Sequence, residues 1–232
     1  MPALDQKVAL ITGAKGGLGN FVTEAFLEAG ATVVGVSRSI QASDFPHARF
    51  AAMPAELSSG EAARRLADEV AARFQKIDIL VHLVGGFAGG KPVHQTDDET
   101  FERMLDVNLK SAFYMARAVL PHMRNRGGGR ILAIGSRAAV EPSPGAGAYA
   151  ASKAALVSLI RTIAAENKDR GISANVILPG MMDTPLNRKF DPQADYSKWV
   201  QPGQVASLLL SLASDAMPQV SGAAIPIYGA EV

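Results

Sequence analysis

The chain contains no cysteine, which excludes disulfides, thiolate metal sites and a cysteine nucleophile. It has no apolar run near the roughly 18 residues that a membrane span requires. Nor does its start, Met1-Pro2-Ala3-Leu4-Asp5-Gln6-Lys7, place a basic stretch before a long apolar one, so no secretory leader is expected. A cytoplasmic protein, independent of membranes, is the expectation. Net charge is nearly absent as well: 23 basic against 22 acidic residues leave +1, with no field to attract nucleic acid or an anionic lipid surface. The four histidines, His47, His82, His94 and His122, are scattered, without the spacing of a metal site. What is present is ordinary: 232 residues, 48% hydrophobic and 19% charged, a composition typical of globular proteins. That length buries a sizeable core unaided. No linker or repeat interrupts it, so one domain over residues 1–232 is expected.

Short β-rich apolar runs alternate with helical stretches along the whole chain. Strands are expected at 8–12, 31–36, 49–53, 77–84, 130–134, 172–178 and 223–227. Helices are expected at 17–29, 58–74, 99–123 (one long or two joined), 149–167 and 204–214. Ser58 with Glu61 has capping-box spacing, and Gly30 and the Gly127-Gly128-Gly129 run read as helix stops. Near-continuous apolar strands separated by helices imply a mainly parallel α/β sheet covered on both faces. In such sheets ligands bind beyond the carboxyl ends of the strands, so the segments that follow the strands carry the functional argument.

After the first strand comes Thr12-Gly13-Ala14-Lys15-Gly16-Gly17-Leu18-Gly19. Glycines there let the backbone approach a pyrophosphate, and the following helix offers unpaired N–H groups. Its spacing is Gly-xxx-Gly-x-Gly. After the second strand, Ser37-Arg38-Ser39 lacks the acid that would accept from a ribose 2′-hydroxyl. Arg38 can instead pair with a 2′-phosphate, with Lys15 adding a second charge; NADP(H) is therefore expected over NAD(H). After the fourth strand, Gly85-Gly86-Phe87-Ala88-Gly89-Gly90 permits close backbone approach to a flat ligand or forms a mobile lid, and Phe87 is either a substrate-stacking ring or a loop anchor. Gly135-Ser136 follows the fifth strand and Pro179-Gly180-Met181-Met182-Asp183-Thr184-Pro185 the sixth; Thr184 can cap a short helix or bond a cofactor amide.

The most informative pair is Tyr149 and Lys153. In a helix, positions i and i+4 share one face. An ammonium beside a phenol favours the phenolate and so pulls the tyrosine pKa down from about 10. A phenol tuned this way exchanges a proton with an alcohol or carbonyl oxygen. Ser136, at a strand end thirteen residues earlier, could hydrogen-bond the same oxygen or serve only as a turn residue.

Taken in order, Thr12-Gly13, Gly17-Leu18-Gly19, Asn108, Ser136, Tyr149 with Lys153, and Pro179-Gly180 resemble the short-chain dehydrogenase/reductase family, from Lys7 to about Gly229. The resemblance implies a single Rossmann-like domain, doubly wound around a seven-stranded parallel sheet, with a nicotinamide cofactor and no metal. It implies that Tyr149 is the proton donor or acceptor, that Lys153 bonds the nicotinamide ribose and lowers the Tyr149 pKa, that Ser136 orients the substrate oxygen and that Asn108 holds a relay water. Gly13, Lys15, Gly17, Leu18, Gly19, Ser37, Arg38, Leu57, Gly85, Pro179, Gly180 and Thr184 would line the cofactor, with Glu56 replacing the usual aspartate at adenine. There are departures: the usual Asn-Asn-Ala-Gly after the fourth strand reads His82-Leu83-Val84-Gly85, the basic residue of the glycine run is shifted to Lys15, and the closing Gly-Gly reads Gly229-Ala230.

The implied activity is hydride exchange between a nicotinamide and a small-molecule carbonyl or alcohol, of 3-oxoacyl or related ketone type. The glycine loop at 85–90 and the run from Met182 to Lys189 also resemble quinonoid dihydropteridine reductase, which makes a dihydropterin the alternative substrate. A cofactor-binding regulatory protein that has lost the chemistry is the alternative from another class. Residues 184–200 would form a short lid. A homo-oligomer, tetramer or dimer, is expected, with Ala112, Phe113, Met115, Ala116, Val119, Ala155, Leu156, Leu159 and Ile163 forming either its interface or core.

Overall fold

The computed structural model describes residues 2–230; Met1, Glu231 and Val232, the ends of the expected 1–232 domain, lie outside the described residues. Seven strands form one parallel sheet in the order β3-β2-β1-β4-β5-β6-β7. They are β1 (Val8–Thr12), β2 (Thr32–Ser37), β3 (Phe50–Pro54), β4 (Ile79–His82), β5 (Gly129–Ile134), β6 (Ile172–Pro179) and β7 (Ala224–Ile227). The order reverses at β1, with β2 on one side and β4 on the other. Their carboxyl ends therefore open the crevice where ligands of doubly wound sheets bind.

All residues of β1, β4 and β6 are buried. This is why these strands read as unbroken apolar runs. Alternate residues serve opposite faces: Val8 and Leu10 join one core layer and Ala9 and Ile11 the other. The first layer is closed by α2 (Gly60–Phe74), α4 (Ser111–Arg126) and α5 (Gly147–Asn167), and the second by α1 (Gly19–Glu28) and α7 (Pro202–Ala213). Two further helices flank the site, α3 (Asp98–Leu105) and the short α6 (Pro185–Phe190).

The expected helix over 99–123 is two joined helices. α3 runs into α4 through one π-turn, Asp106–Lys110, without a loop. Two expectations need correction. The first helix begins at Gly19, because Gly13 adopts φ +72° and holds 13–18 as a loop against the end of β4. Ser59, not Ser58, caps α2: its hydroxyl accepts from the Ala62 amide at 3.2 Å, and Glu61 pairs with Arg65 instead of closing a capping box. Of the residues offered as either oligomer interface or core, most are core, with Ala112, Met115, Ala116, Val119, Leu156 and Ile163 buried. Phe113 alone of that set is largely exposed, beneath the Arg117 guanidinium.

Candidate active site

Tyr149 and Lys153 lie one turn apart near the start of α5, as their spacing requires. The Lys153 ammonium sits 6.0 Å from the Tyr149 ring centroid and donates to Ile134 O, at the end of β5, at 2.8 Å. Lys153 is only 4% exposed. Ser136, two residues beyond β5, hydrogen-bonds with the Tyr149 side chain, and its hydroxyl also accepts from the Ala138 amide at 3.2 Å. Three side chains from two elements thus converge at the carboxyl edge of the sheet.

The electrostatics correct the expected direction of the Tyr149 pKa. Burial raises it above 10, and hydrogen bonding with Ser136 pulls it back only in part. The phenol is protonated at neutral pH. The cation is affected too: burial lowers Lys153 to about 8. Taking either group out of water disfavours its charged form, and burial is the leading cause of both shifts.

Asn108 occupies the π-turn and is fully buried. Its amide nitrogen donates to Gly86 O at 3.0 Å and to the Ser152 hydroxyl at 3.1 Å, while its oxygen accepts from the Gly86 amide at 3.0 Å. The side chain therefore clamps the glycine loop. Ser152 in turn donates to Tyr149 O at 2.7 Å, so Asn108 reaches the tyrosine turn through one hydroxyl. Sequence reasoning missed Ser152; its position between Tyr149 and Lys153 was the available signal. Gly85 lies between the two groups: a Cβ there would fall 3.0 Å from Asn108 Oδ1 and 3.2 Å from Lys153 Nζ.

Phe87 links the glycine loop to Tyr149 and to α6. Its ring packs edge-on against Tyr149, with centroids 5.1 Å apart, and meets Phe190 of α6 at 6.0 Å. The loop itself is pinned, since Gly90 donates to Gly145 O at 2.8 Å. Beside it opens a cavity of about 270 Å³, whose walls include Phe87, Phe190, Thr100, Lys91 and Arg103.

The glycine loop after β1 is close-packed. Gly19 packs so tightly that a Cβ would lie 2.1 Å from Gly13 O, and a Cβ on Gly17 would meet Thr184 at 3.2 Å. Leu18 is buried beneath the loop. At the end of β2, the Ser37 hydroxyl is buried with no hydrogen-bond partner. Arg38 beside it is exposed, and no salt bridge engages it among the described residues. An orphaned hydroxyl, a free guanidinium and a close-packed glycine turn at the switch point fit a dinucleotide. Lys15 is less available than its sequence position implied: it forms a 2.8 Å ion pair with Asp44 and donates to Ser39 O. Glu56 is exposed just past β3, and Leu57 is buried core. Gly180 packs against Tyr228 O, where a Cβ would fall at 2.7 Å, and Pro179 ends β6.

Thr184 caps α6, its hydroxyl accepting from the Asn187 amide at 3.3 Å. The 184–200 segment is tied to itself. Asp183 pairs with Arg188 through two bonds, Arg188 covers the Tyr196 ring, and Tyr196 packs on buried Trp199. A bridge from Met182 to Val200 closes its base.

The comparisons with known proteins agree with this fold. The short chain dehydrogenase family model matches residues 7–195. The chain belongs to the short-chain dehydrogenase family. It is 34% identical to D-threitol dehydrogenase of Mycolicibacterium smegmatis, covering 97% of this chain and 93% of that protein. To the 3-oxoacyl-[acyl-carrier-protein] reductase FabG of Escherichia coli it is 30% identical, covering 96% of each. A crystal structure of a putative short-chain dehydrogenase/reductase from Burkholderia xenovorans superposes with a TM-score of 0.88 at 29% identity, over 99% of this chain and 97% of that one. The short-chain dehydrogenase assignment makes this protein a nicotinamide-dependent oxidoreductase acting on CH–OH or C=O groups. Among the described residues, no helix is long and apolar enough to cross a membrane, and no three His, Cys, Asp or Glu side chains gather as a metal site.

Proposed function

We propose that the protein is an NADP(H)-dependent reductase of 3-oxoacyl-type or related ketones, with Tyr149 as its proton donor. The observation that carries this reading is the convergence of Tyr149, Ser136 and Lys153 beside an aromatic-walled cavity. When bound, the nicotinamide supplies the hydride. The protein's own residues handle oxygen and proton. A phenol that is protonated at neutral pH, its pKa raised further by burial, is poised to give its proton to a carbonyl oxygen as charge develops there. Ser136 hydrogen-bonds the same oxygen and opposes its charge. Lys153, held in place by Ile134 O, stabilises the phenolate left behind. Asn108 and Gly85 complete the wall behind Lys153.

Arg38 and the orphaned Ser37 hydroxyl support NADP(H), because a 2′-phosphate would satisfy both. Asp44 already neutralises Lys15, which leaves Arg38 as the principal cation for that phosphate. Glu56 would face the adenine, and Thr184, against Gly17, the nicotinamide amide. The cavity supports an acyl or other apolar substrate body on Phe87 and Phe190, with Arg103 as the cation for an anionic tail, since Lys91 is paired with Asp97. The 184–200 segment covers it as a lid. The homotetramer or dimer and the cytoplasmic location implied by the family resemblance belong to the same reading.

The test is NADPH oxidation by the purified protein with a 3-oxoacyl thioester, neutral ketones and a quinonoid dihydropterin side by side. The expected result is turnover of the thioester or ketones, lost in Tyr149→Phe while NADPH still binds. Preference for the dihydropterin would install the alternative substrate, and wild-type turnover by Tyr149→Phe would remove the tyrosine from its role.

A further inference from the structure

His82 stands where the family resemblance leads one to expect the first asparagine after the fourth strand. It is the last residue of β4, 3% exposed, in register with Thr12 of β1 on one side and Ala133 of β5 on the other. Its Nδ1 lies 3.0 Å from the Thr12 hydroxyl and its Nε2 3.1 Å from the Ser111 hydroxyl. Ser111 Oγ also donates to Val107 O at 2.7 Å.

These contacts fix the direction of every proton. A carbonyl only accepts, so the Ser111 proton goes to Val107 O. Ser111 Oγ must then accept from His82 Nε2–H. In the neutral ring Nδ1 is left as the acceptor, and Thr12 donates to it. The other neutral tautomer would set the Nε2 lone pair against the Ser111 oxygen. A doubly protonated ring would turn Nδ1–H toward Thr12 and strand the threonine proton in the core. One neutral tautomer satisfies the whole chain. Its surroundings keep it neutral: burial, and the Lys153 ammonium nearby, push its pKa down to about 3.

The chain ends at the π-turn. There the Ser111 amide reaches back to Asp106 O, and its hydroxyl takes up Val107 O, the carbonyl that amide would meet in an α-helix. The next residue is Asn108, which clamps Gly86 and, through Ser152, the Tyr149 turn. At the other end, Thr12 immediately precedes Gly13 of the cofactor loop. We propose that His82 is a positioning residue which, through Thr12 and Ser111, couples the glycine loop to the π-turn and so sets Asn108 against the Tyr149 helix.

The wild-type protein supplies a test that needs no substrate. Nitrogen NMR of the His82 ring should show the Nε2–H tautomer, unchanged from pH 8 to about pH 5. The Nδ1–H tautomer, or a protonated ring at pH 7, would overturn the proposal. The functional arm uses Ser111→Ala, which cuts the chain beyond His82, with Ser111→Thr as the conservative rescue. A misplaced reacting group costs up to about 100-fold in rate. Ser111→Ala should therefore lower kcat by roughly 10- to 100-fold, leave the NADPH Kd within about 2-fold, and regain most of the rate in Ser111→Thr. Loss of cofactor affinity with unchanged kcat, or no rescue by Ser111→Thr in a folded protein, would refute the coupling. If neither reductase substrate turns over at all, the NMR arm still decides the tautomer, so failure of the proposed activity is distinguishable from failure of this inference.

Discussion

Replacing Lys153 by methionine should stabilise the cofactor-free protein while abolishing its activity. The ammonium is almost fully buried, and its pKa falls from the ordinary 10.5 to about 8. At about 1.4 kcal/mol per pH unit, holding that charge in the fold at neutral pH costs on the order of 3 kcal/mol. Methionine is similar in length and apolar, so it removes this cost without opening a large void. It also removes the bond to Ile134 O, leaving a carbonyl unsatisfied at roughly 1–2 kcal/mol. The net gain is about 1–2 kcal/mol, or a rise in Tm of roughly 2–8 °C for a chain of this size.

The pH dependence separates this cause from general repacking. The unfolded lysine keeps its proton up to about pH 10.5, whereas the folded one releases it near pH 8. Wild-type stability therefore rises between those values. The advantage of Lys153→Met should be full below about pH 8 and shrink as the pH approaches 10. Urea unfolding at pH 7 and pH 10 measures both points. A variant less stable than wild type at pH 7, or an advantage that does not narrow at pH 10, would refute the argument.

Three more outcomes are expected. Between pH 6.5 and about pH 3 the unfolded chain binds a proton at His82 that the folded one refuses. Stability should therefore fall with acid by up to about 5 kcal/mol from this group, and His82→Asn should flatten that part of the urea-unfolding profile. Arg38→Gln should raise the KM for NADPH roughly 10- to 100-fold, the worth of a charged hydrogen bond, with NADH little affected; equal effects on both cofactors would disprove the 2′-phosphate role. In Gly19→Ala the added methyl meets backbone oxygens of Gly13 and Ala14 at 2.1 and 2.6 Å. Backbone cannot step aside, so fluorescence titration should show NADPH binding largely lost, and retained affinity would mean the loop is not the cofactor cradle.

The fold was legible because the central strands β1, β4 and β6 are buried along their whole length. Such strands appear as unbroken apolar runs, and all seven expected strands are present within a few residues of their expected ends. The Tyr149–Lys153 pair was legible for a similar reason: helical spacing alone puts the two on one face. What the sequence concealed depends on which groups lose water. Proximity of a cation predicts a lowered tyrosine pKa, but the balance reverses once both groups are buried. Lys15 looked free because Asp44, 29 residues away in sequence, meets it only after β2 and the turn behind it fold. His82 looked like a broken motif, since the partners that complete it, Thr12 and Ser111, lie 70 and 29 residues away. These cases share one physical cause. Periodicity reports which side chains are buried, whereas charge state and hydrogen-bond direction depend on what they are buried against. For the proposed chemistry the second question matters most: a proton donor must hold its proton until the substrate oxygen draws it away, and burial of Tyr149 raises a pKa that already lies above neutral pH.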